Sequence, residues 1–397
     1  VVDDVPVYTL GADKSAYPTN YDYSYAGLTT IRSAIKRSVN VVAAKVWQDI
    51  LGPDLSLKYL DRVNINRDNE RYLSLAMGGL YQGVNPLQMA AAYVPFVSKG
   101  IYYEPITYTK VLDMKGRVLL EKKPKSTIVY DEAAAYVMVD LMRSVVSESG
   151  GTAVGLGQLQ KGKMPTAGKT GTTSDNYDKW FVGFSPYYIG AVWYGYDHNV
   201  SISSAESNRA QQIWHDVMEK VHEKLEPIQF TEPEGIVRKK ICIYSGKTAT
   251  DLCASDPRGS AVRTELFITG TEPSDDDLCD VHVKAEVCKD STDADGNPLL
   301  AGEYCPHESL EERIFIKRPV PYVPTKPGEK APADIKYELP EGKYCNVHGP
   351  EQVPSPDDTN DDNRYDPDEL PYDRTLWPDF LNDIEQAIPR VFRRDDR

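Results

Sequence analysis

The sequence predicts an α+β fold, in which helices flank a small antiparallel sheet, followed by a cysteine-rich module and an acidic tail. Apolar residues recur at helical spacing on both sides of a central segment, and three short aromatic and β-branched runs fill that segment. All six cysteines lie between Cys242 and Cys345. Helices before and after a β-meander are typical of a layered α+β domain. We therefore place this domain at residues 1–226, the cysteine-rich extension at 227–350 and the tail at 351–397.

The first predicted elements are two helices. Thr29 or Thr30 can cap a helix that runs through Lys36, because a threonine side chain accepts a hydrogen bond from the first helical turn. Residues 41–51 predict a second helix, which Gly52 ends.

A capping signal marks the next helix. Asn85 and Pro86 form an N-cap and a first-turn proline, apolar residues follow at helical spacing, and Gly100 is the stop. Pro95 is expected to kink or shorten this helix, because proline lacks the N–H that a helix interior uses. The same apolar spacing predicts another helix over residues 131–146.

After Gly150-Gly151 the apolar period changes. Segments 169–172, 180–184 and 188–196 are short, rich in aromatic and β-branched residues and separated by turn residues. This pattern predicts adjacent antiparallel strands. Residues 210–225 then return to helical spacing.

The composition shifts after that helix. Strand candidates at 236–244 and 313–316 lie among Pro, Gly and Asp, and residues 319–332 predict an extended linker. The acidic stretch 354–373 is expected to be disordered. An apolar stripe from Trp377 to Phe392 predicts a terminal amphipathic helix, which docks on the protein's own surface or on a partner.

The cysteines admit three interpretations. Clustered, even-numbered cysteines fit disulfides in an oxidising, extracytoplasmic compartment, which is the interpretation we favour. Zinc binding is an alternative, because a short Cys-to-His spacing occurs three times, although zinc ligands are usually more closely paired in sequence. Free thiols are the third. The three Cys–His pairs are Cys279/His282, Cys305/His307 and Cys345/His348.

The charge and the first residues limit the function classes. A formal net charge of −15 argues against nucleic acid or anionic membrane as a partner, because phosphate binding relies on Lys and Arg. No run approaches the ~18 apolar residues of a membrane span, and the first residue is Val1. We expect the natural N-terminus to lie upstream, so that any membrane attachment is through a missing anchor.

The candidate chemistry lies in the segment Gly-Lys-Thr-Gly-Thr at 168–172. A Lys-Thr-Gly strand beside a cleft places an ammonium and hydroxyls over a bound carboxylate, and Gly171 lets a substrate approach the backbone. Alone, such a tripeptide is weak evidence, because an ordinary surface turn explains it. Ser38-Val39-Asn40 strengthens it, since a Ser-x-Asn element accompanies Lys-Thr-Gly in serine penicillin-recognising enzymes.

With these motifs, residues 1–220 resemble the transpeptidase domain of class A, bifunctional penicillin-binding proteins in the order and content of successive blocks. The resemblance implies a penicillin-binding/β-lactamase-like fold. The blocks are Asp4–Pro6, Tyr17–Tyr21, Gly27–Ala34, Ser38–Val41, Ala76–Gly79, Gly83–Ala90, Ala92–Tyr93, Gly151–Ala153, Ala167–Thr173, Asp178–Gly183 and Val192–Asp197.

One element of the family is absent. Its pattern requires a Ser-x-x-Lys helix well upstream of Ser-x-Asn, which supplies the nucleophile and the base. Ser33-Ala34-Ile35-Lys36 has that internal spacing but leads directly into Ser38, so we interpret it as ordinary helix. The chain is therefore expected to begin after the nucleophile's helix, to lack the family's glycosyltransferase domain and anchor, and to be inactive alone.

The resemblance implies a role for each matched residue. Ser38 would relay a proton, Asn40 would bind the amide of the donor peptide, and Lys169 would attract the terminal carboxylate of a D-Ala-D-Ala stem peptide. Thr170 and Thr172 would hydrogen-bond that carboxylate, and the backbone N–H of Thr172 would belong to the oxyanion hole. No cofactor and no metal is expected for this chemistry.

The implied activity is D,D-transpeptidation in a peptidoglycan synthase at the extracytoplasmic face of a bacterial membrane. Acyl transfer passes through a serine ester that an amine of a neighbouring strand resolves, and β-lactams stall it. A serine β-lactamase-like hydrolase and a non-catalytic wall-binding or interaction protein are the alternatives. Trp180 and Phe181 either line an acceptor groove or, as we favour, pack in the core; His198 and His215 are taken as incidental.

Overall fold

A computed structural model of the chain describes residues 1–7, 16–325 and 328–350. These residues form two compact units. The first unit comprises Val1–Lys239 together with Thr264–Glu272 and Pro324–Ala333, and the second comprises the rest of the described chain. The predicted disorder at 354–373 and the predicted terminal helix lie outside the described residues.

Six α-helices are described in the first unit. Five of them confirm the helices predicted from capping signals and apolar spacing, whereas α3 was not predicted. The helices are α1 (Ile31–Arg37), α2 (Asn40–Lys45), α3 (Pro53–Arg62), α4 (Pro86–Val97), α5 (Glu132–Ser147) and α6 (Arg209–His222). Residues Val46–Leu51 continue α2 as a π-helical turn, so the predicted second helix is present but not uniform.

The helix ends follow from the sequence. The Thr30 side chain accepts a hydrogen bond from the Ser33 amide and so caps α1. Asn85 and Gln88 form a reciprocal capping box at the start of α4. Gly100 follows α4 with φ of 83°, and a Cβ there would lie 1.9 Å from the Tyr130 carbonyl oxygen. Only glycine fits this turn.

The strands from β1 to β13 form two-stranded sheets and one three-stranded sheet. They are β1 (Val2–Asp4) with β2 (Gly27–Thr29), β3 (Ile101–Tyr103) with β6 (Ser126–Ile128), β4 (Lys110–Leu112) with β5 (Val118–Glu121), β7 (Gln158–Leu159) with β8 (Met164–Pro165), the three-stranded sheet β9 (Ala167–Thr172), β10 (Asp178–Phe184) and β11 (Ile189–Gly195), and β12 (Ile236–Cys242) with β13 (Val262–Ile268).

The three-stranded sheet confirms the predicted antiparallel meander. Strand β10 lies between β9 and β11, with Lys169 opposite Val182 and Trp180 opposite Trp193. Helix α5 packs against β9, while α6 packs against β10 and β11. The sheet therefore carries helices, as an α+β arrangement requires.

The core between the sheet and its helices centres on Trp214 of α6. Its ring meets Phe181 edge to face, with centroids 5.0 Å apart, and its indole N–H donates to the Gly183 carbonyl. A Cβ at Gly183 would lie 2.7 Å from the Trp214 ring, so the strand must carry glycine there. Phe181 is fully buried, in agreement with the core interpretation, whereas Trp180 is half-buried.

A buried ion network joins α1 to two distant parts of the first unit. The Arg32 guanidinium is bound bidentately by Glu265 and also by the Asp140 carboxylate of α5. It donates in addition to the Asp140 carbonyl at 3.0 Å. Arg32 is only 5% exposed and Glu265 9%, so both charges depend on this pairing.

The second unit is built on a long strand. Strand β14 (His282–Thr292) pairs with β15 (Pro298–Leu300) on one side and β16 (Leu310–Ile316) on the other, and a short helix α7 (Asp251–Ala254) precedes them. The predicted strands at 236–244 and 313–316 correspond to β12 and β16. The described part of 319–332 contains no helix or strand, as expected for a linker. No described helix is long and apolar enough to cross a membrane.

Candidate active site

The Ser38 hydroxyl is carried by a tight turn between α1 and α2. Ser38 has φ of 59° and ψ of 52°, the left-handed conformation that non-glycine residues seldom adopt. Its N–H donates to the Ile35 carbonyl, and the Val39 N–H donates to the Ala34 carbonyl at 2.9 Å. These hydrogen bonds terminate α1 and fix the orientation of Ser38 relative to the helix.

Lys169 of β9 meets Ser38 directly. The Nζ atom donates to the Ser38 Oγ at 2.8 Å and to the Thr170 carbonyl oxygen at 3.0 Å. Burial of the ammonium lowers the pKa of Lys169 to about 8, because a low-dielectric environment disfavours the charged form. The structure thus brings together two motifs that lie 131 residues apart in sequence.

A second pair of hydroxyls lies beside this lysine. The Thr170 Oγ1 is 2.7 Å from the Thr152 Oγ1. Thr152 follows Gly151, where a Cβ would lie 2.2 Å from the Val145 carbonyl oxygen, so the loop after α5 requires glycine. Thr152 received no role from the sequence, although it stands in one of the blocks that carry the resemblance. Its contact with Thr170 can hold that hydroxyl in one orientation.

The other two residues of the segment lie toward the end of β9. Thr172 is exposed there. Gly171 lies opposite Trp180, and a Cβ at this glycine would come within 3.1 Å of the Trp180 Cβ. Close strand packing is therefore one reason for glycine at this position, besides the access to the backbone that the sequence suggests.

Asn40 begins α2 and belongs to a network of amides. Its Nδ2 donates to the Thr19 carbonyl at 2.9 Å. The neighbouring Asn20 donates to the Asp4 carboxylate at 2.8 Å and accepts a hydrogen bond from the Val41 amide. Burial raises the pKa of Asp4. This support for the start of α2 was not predicted, because nothing in the local sequence pairs residue 4 with residue 20.

The Ser33–Lys36 spacing has an ordinary explanation. Both residues lie in α1, and the Lys36 ammonium is 3.4 Å from the Glu148 carboxylate. The lysine thus forms an ion pair with another part of the fold. This agrees with the interpretation of the spacing as coincidence.

A buried Ser–His pair elsewhere in the first unit is structural. The His222 Nε2 is 2.6 Å from the Ser185 Oγ, and its Nδ1 is 2.7 Å from the Met218 carbonyl oxygen. The Ser185 Oγ also accepts from the amides of Tyr187 and Tyr188. Both side chains are fully buried and hydrogen-bonded, so a substrate has no access to them.

The six cysteines depart from the favoured expectation of disulfides. All six are free thiols. They form two groups of three, and each group includes one histidine. His282 and His348, from two of the three Cys–His pairs noted in the sequence, belong to these groups, whereas His307 does not.

The site around Lys169 combines a weakly solvated ammonium with hydroxyl groups on two facing elements. Such a lysine attracts a carboxylate strongly, because few waters compete for its charge. Its hydrogen bond to Ser38 also offers a path for a proton between a serine hydroxyl and a neighbouring group. The geometry suits a substrate that carries a carboxylate next to a bond that breaks with proton transfer.

Comparisons with known proteins agree with this chemistry. The protein-family model of the penicillin binding protein transpeptidase domain matches residues 4–219 of the sequence. The model of the penicillin-binding protein 1A C-terminal domain matches residues 232–284.

Individual relatives point the same way. Penicillin-binding protein 1A of Clostridium botulinum (strain Langeland) is 38% identical over 314 residues, which cover 78% of this chain and 36% of that protein. Penicillin-binding protein 1A of Aquifex aeolicus is 37% identical over 273 residues, which cover 68% of this chain and 35% of that protein. The chain thus spans about a third of the length of the curated relatives that it matches.

A solved structure shares the fold. The 2.6 Å crystal structure of penicillin-binding protein 1A from Haemophilus influenzae is similar with a TM-score of 0.59 and 23% identity, covering 69% of this chain and 45% of that chain. The α+β arrangement around β9, β10 and β11 is therefore that of a penicillin-binding protein. Because the transpeptidase model matches more than half of the residues, this chain belongs to the penicillin-binding protein transpeptidase domain family.

Proposed function

We propose that this chain provides two of the three active-site motifs of a D,D-transpeptidase in a peptidoglycan synthase. The observation that carries the proposal is the 2.8 Å contact between the Lys169 ammonium and the Ser38 hydroxyl, within a segment that matches the transpeptidase family. The reaction is acyl transfer. A serine hydroxyl attacks the carbonyl carbon of the penultimate D-Ala of a stem peptide, and the terminal D-Ala leaves. An amine of a neighbouring peptide then takes the acyl group from the serine ester.

Lys169 has two roles in this proposal. Its ammonium attracts the terminal carboxylate of the donor peptide, and binding of that anion favours the charged form and so raises the pKa of Lys169 again. It also holds the Ser38 hydroxyl in place by donating to its oxygen. Ser38 can then pass its own proton to the leaving amine and recover one from the base beside the nucleophile.

The remaining site residues bind the donor peptide. Thr170 and Thr172 offer hydroxyls to the carboxylate, Gly171 gives access to the backbone of β9, and the Thr172 N–H donates to the developing oxyanion. The Nδ2 of Asn40 already donates to Thr19, so its side-chain oxygen is the atom that we assign to an amide N–H of the donor.

The nucleophile itself is assigned to a segment outside this sequence. Ser33-x-x-Lys36 is the one Ser-x-x-Lys spacing in these residues, and the ion pair of Lys36 with Glu148 argues against Lys36 as the base. We therefore propose that the chain alone forms no acyl-enzyme. We also propose that the whole protein acts at the outer face of a bacterial membrane on peptidoglycan stem peptides, that β-lactams acylate it, and that residues 1–226 form its transpeptidase domain.

Labelling with a fluorescent penicillin tests this function. The gene-length protein should label, and Lys169→Ala should slow labelling roughly 10–100-fold, since a charge-assisted hydrogen bond contributes about 1.5–3 kcal/mol. Lys163→Ala is the matched control, because Lys163 is exposed in the loop before β8. Unchanged labelling of Lys169→Ala would refute the assigned role.

The chain of 397 residues gives a second test. We expect no covalent penicillin adduct in its intact mass. An adduct that peptide mapping assigns to Ser33 would overturn the assignment of the nucleophile to another segment.

A further inference from the structure

Two groups of four side chains in the second unit have the composition of metal sites. In each group, one ligand atom from every residue lies within 4.8 Å of those from the other three. Neither group contains a residue of the proposed transpeptidase chemistry. The first group is Cys242, Cys253, Cys279 and His282, and the second is Cys288, Cys305, Cys345 and His348.

The first group is buried and has the dimensions of a tetrahedral site. Cys242 and Cys253 are 0% exposed, Cys279 is 9% exposed and His282 is 3% exposed. The His282 Nδ1 lies 3.4 Å from the sulfur of Cys242 and 3.4 Å from that of Cys279. Zinc bonds of about 2.3 Å to sulfur and about 2.05 Å to nitrogen, at the tetrahedral angle, place these atoms about 3.6 Å apart.

The orientation of His282 is that of a metal ligand. Its Nε2 is 2.8 Å from the Asp256 carboxylate, which is itself buried. Arg258 fixes this carboxylate through its side chain and its backbone N–H. With the proton on Nε2, the Nδ1 lone pair points at the sulfurs. A carboxylate that holds the outer nitrogen of a histidine is the usual partner of a zinc ligand.

Backbone amides also point at the sulfurs of the first group. The Tyr244 N–H donates to the Cys242 sulfur at 3.4 Å, and the Thr250 N–H donates to the Cys253 sulfur at 3.3 Å. Donors to sulfur stabilise the thiolate form, which is the form that binds metal.

The second group repeats this plan. The His348 Nδ1 lies 3.3 Å from the Cys288 sulfur and 3.5 Å from the Cys345 sulfur. The Gly302 N–H donates to the Cys305 sulfur at 3.3 Å, from three residues upstream, as Thr250 does to Cys253. The His348 Nε2 faces the Asp290 carboxylate at 3.6 Å, on the outside of the group. Cys345 and His348 also repeat the spacing of Cys279 and His282.

The composition of each group favours a metal over a disulfide. A disulfide uses two cysteines, so three cysteines leave one thiol and one inward-facing histidine without a role. A tetrahedral ion uses all four ligands. From this geometry we propose that the second unit binds two Zn²⁺ ions, each in a structural Cys₃His site, and that each ion displaces the protons of its three thiols on binding.

Strand β14 connects the two sites. It begins at His282 of the first group and contains Cys288 of the second, six residues later on the same face of the strand. At about 3.3 Å per residue, these ligands lie roughly 20 Å apart along β14. The two ions would therefore fix both ends of one segment of the central strand, in a unit whose described residues form few other elements.

Metal analysis of the 397-residue chain tests the proposal. After purification with zinc present and removal of loose metal, we expect two zinc ions per chain, one for each group. Cys253→Ser and Cys305→Ser should each reduce the content to one ion. His307→Ala is the matched control and should keep both, because His307 also follows a cysteine closely but lies outside the second group.

Two further measurements make the result independent of variant folding. Cobalt substitution of the unmutated chain should give the intense visible bands of tetrahedral cobalt and an ultraviolet thiolate charge-transfer band. A thiol reagent should react slowly with the zinc-loaded chain and rapidly with all six cysteines after chelation. These outcomes do not depend on penicillin labelling, so they stand or fall separately from the proposed transpeptidase.

Several results would overturn the proposal. Zinc-free protein after loading, or six rapidly reacting thiols with zinc present, would refute both sites. Intact mass lower by two hydrogens per cysteine pair would show disulfides instead. If the unmutated chain binds one zinc ion, and this ion is retained in Cys305→Ser but lost in Cys253→Ser, the second site alone is refuted.

Discussion

Replacement of Arg32 by alanine removes the centre of the ion network that joins α1 to α5 and β13. The guanidinium donates to both oxygens of Glu265 and to the carboxylate and carbonyl of Asp140. After the change, the Glu265 carboxylate stays buried but loses its bidentate cation. Asp140 is less affected, because its side chain is 20% exposed and water can reach it.

The cost follows from this difference in burial. Breaking a buried ion pair on one side costs about 3–5 kcal/mol, because the remaining charge is left in a poorly solvated site. With most of the penalty from Glu265, we expect about 3–4 kcal/mol for Arg32→Ala. At about 2–4 °C per kcal/mol for a unit of this size, the melting temperature should fall by roughly 6–16 °C.

Differential scanning calorimetry of the chain and its variants measures this change. Arg37→Ala is the matched control on the same helix, since Arg37 is exposed and should change stability by less than about 0.5 kcal/mol. Adding Glu265→Gln to Arg32→Ala should restore part of the loss by neutralising the buried carboxylate. A loss below about 1 kcal/mol for Arg32→Ala, or strict additivity in the double variant, would contradict the reasoning.

Three other changes test the rest of the first unit. Burial lowers the pKa of Lys169 to about 8, so the charged lysine destabilises the fold below that pH, and this penalty fades as the pH rises toward the ordinary pKa of lysine. The thermal stability gained by Lys169→Met should therefore shrink between pH 7 and pH 10. A gain that stays constant over this range would contradict the lowered pKa. Thr152→Val should slow penicillin labelling of the full-length protein about fivefold, because one hydrogen bond to Thr170 contributes about 1 kcal/mol. Thr152→Ser keeps the hydroxyl and should restore the rate. Equal labelling rates for both variants would exclude the positioning role. Gly183→Ala should lower the free energy of unfolding by about 1–3 kcal/mol in denaturant titrations, because the added methyl group overpacks the core. Gly349 has open space around it, so Gly349→Ala should leave the free energy of unfolding unchanged. Equal effects of the two variants would refute the packing argument.

Local signals predicted five of the six described helices and the β9–β11 meander of the first unit, because such signals act over a few residues; α3 and the short strands β1–β8 were missed. A cap such as Thr30 or Asn85 satisfies helix N–H groups within one turn, so the start of a helix is visible in sequence. Strands β9 to β11 follow one another with short turns, so their pairing is also local. By contrast, β14 was missed, because its charged, outward residues interrupt the apolar pattern and its partner β16 is contributed by a later segment.

The candidate site divides in the same way. Ser38 and Lys169 were named from short motifs, and the resemblance of the surrounding blocks connected them. Thr152 could not be assigned from sequence, because its role arises from a contact with Thr170 across two elements. The grouping of cysteines with His282 and His348 is likewise a property of the folded chain, since spacing alone did not separate metal ligands from disulfide partners.

The two cysteine groups do not interleave along the chain. Every residue of the first group, which ends at His282, precedes every residue of the second, which begins at Cys288. If both bind zinc as proposed, all four ligands of the first site have been synthesised before the first ligand of the second. During synthesis the first site can therefore close on its ion without competition from the wrong cysteines, so the order of the ligands itself limits mismatched coordination.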